Sequence, residues 1–241
     1  MFSVELTLLI PALLIVFAGA VVQGTMGVGF GQVAAAGLIW IEPAMVPTAV
    51  IIMGFCVAVT SALREFSRIN YQHLQIALTG RILGALLSIP VLIWVGKHDS
   101  FALLFGGFLI AAVLISLLPI RPTLSNRTLA LGGATSGLMG TITSIGGPPM
   151  GLIYQDQTAS EVRSTLNAFF AVGSIISLGA LWYSGLFGLE HIFHAIVLAP
   201  GFLLGTYASR WFSPFVDKRY RPLILGFCII SAATLILRGL W

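Results

Sequence analysis

Gln23, Gln32, Ser136, Thr141, Thr143 and Ser144 are uncharged hydrogen-bonding side chains embedded in apolar sequence. They gather at two glycine-rich stretches, GTMGVGFGQ at 24–32 and GLMGTITSIGGPP at 137–149. Amide and hydroxyl donors of this kind suit a small anion. A helix that begins at a break adds unpaired backbone N–H groups and a partial positive charge, so an anion is held without a charged side chain. The candidate contacts are Gln23, Gln32, Ser136, Thr143 and Ser144. The backbone at Gly24, Gly27, Gly29, Gly31, Gly140, Gly146 and Gly147 joins them, with Pro148 stopping a helix from running through the second turn. The plainer alternative is that small residues permit tight helix packing and the hydroxyls bond their own helices. Two matched breaks with several donors each favour a site.

Four further groups could add chemistry. Arg81 sits about seven residues into an apolar run, roughly 10 Å along a helix. It either meets an anionic ligand at depth or extends to the headgroups. Asn167 lies one turn beyond Arg163 in SEVRSTLNAFF and is a weaker cavity candidate, while Arg163 reads as a boundary residue. Glu190 and His194 share a helix face, with His191 beside them, but these are too few for a metal site and read as interfacial. Cys56 and Cys228 read as isolated, unpaired thiols. No nucleophile–base set, zinc spacing or nucleotide loop stands out, and GVGFG does not follow a strand of an α/β unit. The reading is therefore not enzymatic, with no cofactor and no metal.

The elements that carry these residues must lie in lipid. Of 241 residues, 58% are hydrophobic and 8% charged, against about 25% charged in a soluble domain, and the mean hydropathy is +1.01. The pI near 9.4 fits Lys and Arg retained in cytoplasmic loops rather than a nucleic-acid surface. Membrane spans are expected at 4–22, 46–62, 74–95, 101–119, 164–187, 191–212 and 222–240. The first is read as a retained helix, since no basic segment precedes it. Residues 4–41 are too long for one straight span and must fold back near Gly24 to Gly31; 128–154 repeats the problem between Gly140 and Pro149.

The two stretches are versions of each other. Gly19, Gly24 and Gly27 align with Gly132, Gly137 and Gly140 at a displacement of 113, and Gly80 and Gly84 with Gly201 and Gly205 at 121. The chain thus divides into 1–121 and 122–241, each a broken or re-entrant hairpin followed by three transmembrane helices. If each break returned to the side it came from, Arg64, Arg68, Arg81, Arg121, Arg127, Arg163, Arg210, Lys218, Arg219 and Arg221 would share one face. Only Lys97 and Arg238 would lie on the other. That ten-to-two bias satisfies the positive-inside rule, where single crossings would give six to six. The expectation is an all-α polytopic protein of two inverted repeats, both termini outside and the basic loops cytoplasmic. Inverted repeats with broken helices place a substrate at the midplane between them.

At these motifs the sequence resembles the sulfite exporter TauE/SafE family of small membrane transporters. The likeness spans essentially the whole chain and rests on the two glycine-rich breaks, on GGPPMGLIYQDQTASEVRSTLNAFF at 146–170 and on PGFLLGTYASRWFSPFVDKRYRPLIL at 200–225. The resemblance implies transport, often export, of a small sulfur-containing or organic anion such as sulfite or a sulfonate. The expected function is a secondary transporter of the cell inner membrane working by alternating access. Its partners would be the lipid bilayer, the anion, and a coupling ion such as H+ or Na+, with a homo-oligomer left open. The rival is an anion channel with a backbone-lined constriction.

Overall fold

A computed structural model describes residues 6–98, Gly107 and 122–217, with side chains from 8–94 and 122–216. The described residues form helices and no strand: α1 (Leu6–Met26), α2 (Phe30–Leu38), α3 (Thr48–Arg64), α4 (Tyr71–His98), α5 (Asn126–Thr143), α6 (Gly147–Ile153), α7 (Ala159–Tyr183), α8 (Leu189–Val197) and α9 (Ala199–Asp217). The spans expected at 101–119 and 222–240 lie outside the described residues. So do Cys228, Arg121, Lys218, Arg219, Arg221 and Arg238, and the side chain of Lys97.

The helices are solvated by lipid, not water. Ile10, Leu14, Leu83, Leu87, Leu131, Ile175 and Leu204 point outward, all more than half exposed, while Gln23, Arg81, Ser136, Asn167 and Ser177 are buried. Apolar side chains outside and polar ones inside is the order expected where the solvent offers no hydrogen bonds. Among the described residues three helices are long and apolar enough to cross a bilayer, at Leu8–Met26, Tyr71–Trp94 and Ala159–Tyr183. The expected span at 191–212 is instead two helices, α8 and α9, bent by 54°. Pro200 opens α9 and cannot supply the N–H that a continuous helix would need there.

Each break folds the chain back. Gly19 lies against Phe30 and Val33, and Gly37 against Ile15, so α2 runs antiparallel along α1. In the same way Gly132 lies against Met150 and Ile153, and Ser136 donates to Gly146 O at 2.6 Å, which lays α6 back along α5. With 9 residues, α2 reaches about 13 Å, and α6, with 7, about 10 Å. Neither returning arm is long enough to span the roughly 30 Å hydrocarbon core.

Left-handed residues make the two turns. Gly27 has φ 81° and Gly29 φ 117°; at the second break Ser144 takes φ 62°. The turns occupy Gly27–Gly29 and Ser144–Gly146 and lie 117 positions apart, whereas the glycine matches are 113 apart. The two spacings differ because Gly140 remains inside α5 and Ser144 does the turning. Pro148 and Pro149 do not end a helix; they form the first turn of α6, where a missing N–H costs nothing.

Two glycine seams set the packing. Gly80 and Gly84 of α4 bring its backbone against the carbonyls of Ala130 and Ala134 of α5, and Gly133 and Gly137 reciprocate at Ala77 and Arg81. The two helices run parallel. Gly201 and Gly205 of α9 meet the carbonyls of Leu13 and Phe17 of α1, also in parallel.

Candidate functional site

The two breaks meet in the protein interior. A Cβ at Gly31 would overlap Ser144 O, and one at Gly147 would lie 3.0 Å from Gln32 Oε1. Beside this junction is a partly open cavity of about 40 Å3 lined by Gln23, Phe30, Gly31, Val50, Ile51, Gly54, Arg81, Gly140, Ser144, Gly146, Phe170 and Ser174. A water needs about 10–15 Å3 of such space, so the cavity admits water or a small ion.

Arg81 is the charged wall of the cavity. The helix carrying it starts at Tyr71, earlier than its apolar run suggests, so Arg81 lies about 15 Å along the axis. At 3% exposure it turns inward and not to the headgroups. Its Nη1 donates to Ser136 Oγ at 2.9 Å and Ser136 O at 3.2 Å, and its Nη2 to Ser177 Oγ at 3.1 Å. The guanidinium carbon is 5.3 Å from the Phe169 ring centre and 5.8 Å from that of Phe170. Its Nε has no hydrogen-bond partner. Gly173 and Gly146 leave the space it occupies. Among the described residues no carboxylate pairs with it.

The other expected residues divide by what they touch. Gln23 Oε1 accepts from Phe30 N at 3.1 Å, capping α2, while its Nε2 donates to Asn167 Oδ1 at 3.4 Å. Asn167 lies behind Gln23 and donates to Arg163 O at 2.9 Å. Ser136 links the Arg81 guanidinium to the carbonyl of Gly146. Ser144 lines the cavity and its Oγ has no partner. Thr143 back-bonds to Met139 O at 2.8 Å and accepts from Ile145 N, and Thr141 bonds Gly137 O at 2.7 Å and Ser177 at 2.8 Å. Thr143 thus serves its own helix and turn, while Thr141 also ties α5 to the Ser177 hydroxyl that holds Arg81. Gln32 is buried with Oε1 unpartnered at the junction. Gly24 packs on Ser209, Gly27 on the backbone of Arg163, and Gly29 caps α2; none of these walls the cavity, nor do Gly147 and Pro148. The supply of free N–H groups at the second break is smaller than expected, since Pro148 and Pro149 have none.

Sequence reasoning missed Phe30, Val50, Ile51, Gly54, Phe170 and Ser174 on the wall and Ser177 behind it. A signal existed for three of them. Arg163, Asn167, Phe170, Ser174 and Ser177 recur at spacings of four and three along α7, one helix face, and that face looks inward.

Arg163 lies at the basic end, in the first turns of α7, but its side chain is buried in protein. It is 4% exposed, and its Nε and Nη2 both donate to Glu65 Oε1, at 3.0 and 2.7 Å, and its Nη1 to Thr25 O at 3.3 Å. Arg64 beside it donates to Gly24 O at 2.9 Å and Ser209 Oγ at 3.1 Å. Glu190 lies 3.4 Å from His191.

Residues 12–235 match the family model described as Sulfite exporter TauE/SafE. The chain belongs to the TauE/SafE family. It is accordingly a multi-pass membrane transport protein, in keeping with its outward apolar faces. Neither the curated proteins nor the solved structures provide a match to it.

Proposed function

We propose that this TauE/SafE protein is a secondary transporter that exports a small sulfur-containing anion by alternating access around the cavity between its two breaks. The observation that carries this reading is Arg81: a guanidinium at membrane depth, bonded only to neutral groups, facing a cavity walled by both broken helices. An intramembrane charge of this kind faces a watery cavity or a counter-charge. Arg81 supplies the attraction, Ser136 and Ser177 hold its plane, and Ser144 Oγ and the Gln23 amide orient the guest.

The architecture around it is that of inverted repeats. The glycine seam of α4 on α5 recurs as α9 on α1, with Ala130 and Ala134 standing 117 positions after Leu13 and Phe17. The parallel seams and the contacts of Arg163 with Glu65 and Thr25 place the C-terminal ends of α1 and α3 at the same end of the molecule as the starts of α4, α5 and α7. The corresponding helices of the two halves then run in opposite directions. Arg64, Arg68, Arg127, Arg163 and Arg210 collect at that end, which we assign to the cytoplasm of an inner membrane.

The test is counterflow of labelled sulfite in liposomes holding the purified protein. Saturable uptake accelerated by unlabelled sulfite inside, and lost in Arg81→Ala, is the expected result. Single-channel currents would transfer the reading to an anion channel, and no sulfite flux of either kind would end it.

A further inference from the structure

Resting on that reading of the cavity, we infer that the site selects by charge: it takes a monoanion, one negative charge to balance one guanidinium, and discriminates against dianions of the same size.

The charge inventory supports this. The chain has eight acidic and twelve basic residues. Of the acidic ones, Glu65 is joined to Arg163, Glu161 accepts from Asn70 at 3.1 Å near the start of α7, and Glu190 faces His191 near the start of α8. Glu42 caps the turn before α3, and Asp156 follows α6. Glu5, Asp99 and Asp217 stand in sequence just before α1, just after α4 and at the last position of α9. The sequence stretches 101–119 and 222–237 contain no Asp, Glu, Lys or Arg at all. Among the described residues, Arg81 is therefore the one deeply buried fixed charge that no carboxylate pairs with; Arg163, also buried, is joined to Glu65.

The neighbours of that charge sharpen the point. The groups facing Arg81 from α5 and α7 are Ser136, Ser177, Phe169 and Phe170, together with the glycines at 140, 146 and 173. None of them ionises. The hydroxyls and the aromatic rings adjust to either anion but cannot neutralise a second negative charge. A monoanion leaves the occupied site neutral. A dianion leaves one uncompensated charge at membrane depth, where insertion scales put the cost at about 2.5–3.5 kcal/mol, equivalent to roughly a hundredfold in affinity. A neutral ligand would leave the guanidinium unpaired. For an anion that exists in both charge states near neutral pH, the singly protonated form would be the one carried, bringing its proton with it.

The experiment compares ligands matched in shape and separated by charge. Methanesulfonate, a monoanion, is set against sulfate, a dianion, and against methylphosphonate under mildly alkaline conditions, where it keeps the methyl group but carries two charges. Binding is read by thermal shift of the purified protein and by competition with sulfite counterflow. The expected result is binding by methanesulfonate, with sulfate and the doubly charged methylphosphonate weaker by tenfold or more. Arg81→Lys should keep that order, and Arg81→Gln should abolish it. Equal or tighter binding of either dianion overturns the inference while sulfite counterflow, if present, leaves the transporter reading intact. Absence of binding by all three together with absence of sulfite counterflow removes both. If Arg81→Gln fails to fold, the wild-type comparison and Arg81→Lys still decide the matter.

Discussion

Arg81 shows how few contacts fix the chemistry of the cavity. Ser136 has two tasks, since its Oγ accepts from Arg81 and donates to Gly146 O. Ser136→Ala removes both bonds and leaves a buried carbonyl and a buried guanidinium N–H less satisfied, a change worth about 1–3 kcal/mol. The purified variant should melt several degrees lower and bind anion more weakly. Gly173→Ala tests position without deleting a bond, because a Cβ there would overlap Arg81 Nε. It should displace the guanidinium and weaken anion binding more than it lowers the melting temperature. Equal ligand-induced thermal shifts in wild type and Gly173→Ala would show that the guanidinium does not need its present place. Arg81 stands out in sequence as a charge inside an apolar run, and Ser136 and Ser144 by their place at the glycine-rich break. Phe170 and Ser174 do not, because a phenylalanine and a serine are ordinary in a membrane helix, and only their common face with Arg163 and Asn167 gives them away.

At the scale of elements, the two hairpin breaks were legible from glycine and length, and so were the turning residues of the first, but not that of the second. A glycine marks where a chain is free to turn, not where it does so. At the first break Gly27 and Gly29 do turn, whereas at the second Gly140 stays helical and Ser144 adopts φ 62°. An L-residue there is tolerated only at a cost of about 1–2 kcal/mol. The bend between α8 and α9 was marked in the sequence only by Pro200, inside a stretch otherwise apolar enough for one span. Gly27→Ala probes the first turn. Its φ of 81° and the backbone of Arg163, 2.8 Å from where a Cβ would stand, make the substitution strained and crowded together. We expect a loss of at least about 1 kcal/mol, whereas Ser144→Gly should match or exceed wild type in melting temperature while preserving the turn. A Gly27→Ala protein as stable as wild type would mean the first break has slack that its geometry does not suggest.

On the scale of the whole molecule, the basic end is tied together by guanidinium groups. At the basic end Arg163 joins Glu65 and Thr25 O, and Arg64 joins Gly24 O and Ser209, so two guanidinium groups hold the tail of α1 to α3, α7 and α9. These are the negative carbonyl ends of a helix, where cations are favoured. At the other end one link between the halves is a neutral hydrogen bond, Thr48 Oγ1 donating to Leu186 O at 2.8 Å. If the halves rock about the cavity, the ionic seam is the costlier one to part, because breaking a buried pair exposes an unpaired charge. Glu65→Gln should therefore release the basic end preferentially. With Ser174→Cys as the reporter on the cavity wall, Glu65→Gln should speed labelling by a membrane-impermeant thiol reagent applied from the basic side. Thr48→Val should speed it from the opposite side. The native Cys56 and Cys228 would first be replaced by serine so that the reporter is read alone. Faster labelling from both sides in Glu65→Gln would indicate general loosening, and unchanged labelling would mean that the Arg163–Glu65 pair holds the fold without lying on the moving seam.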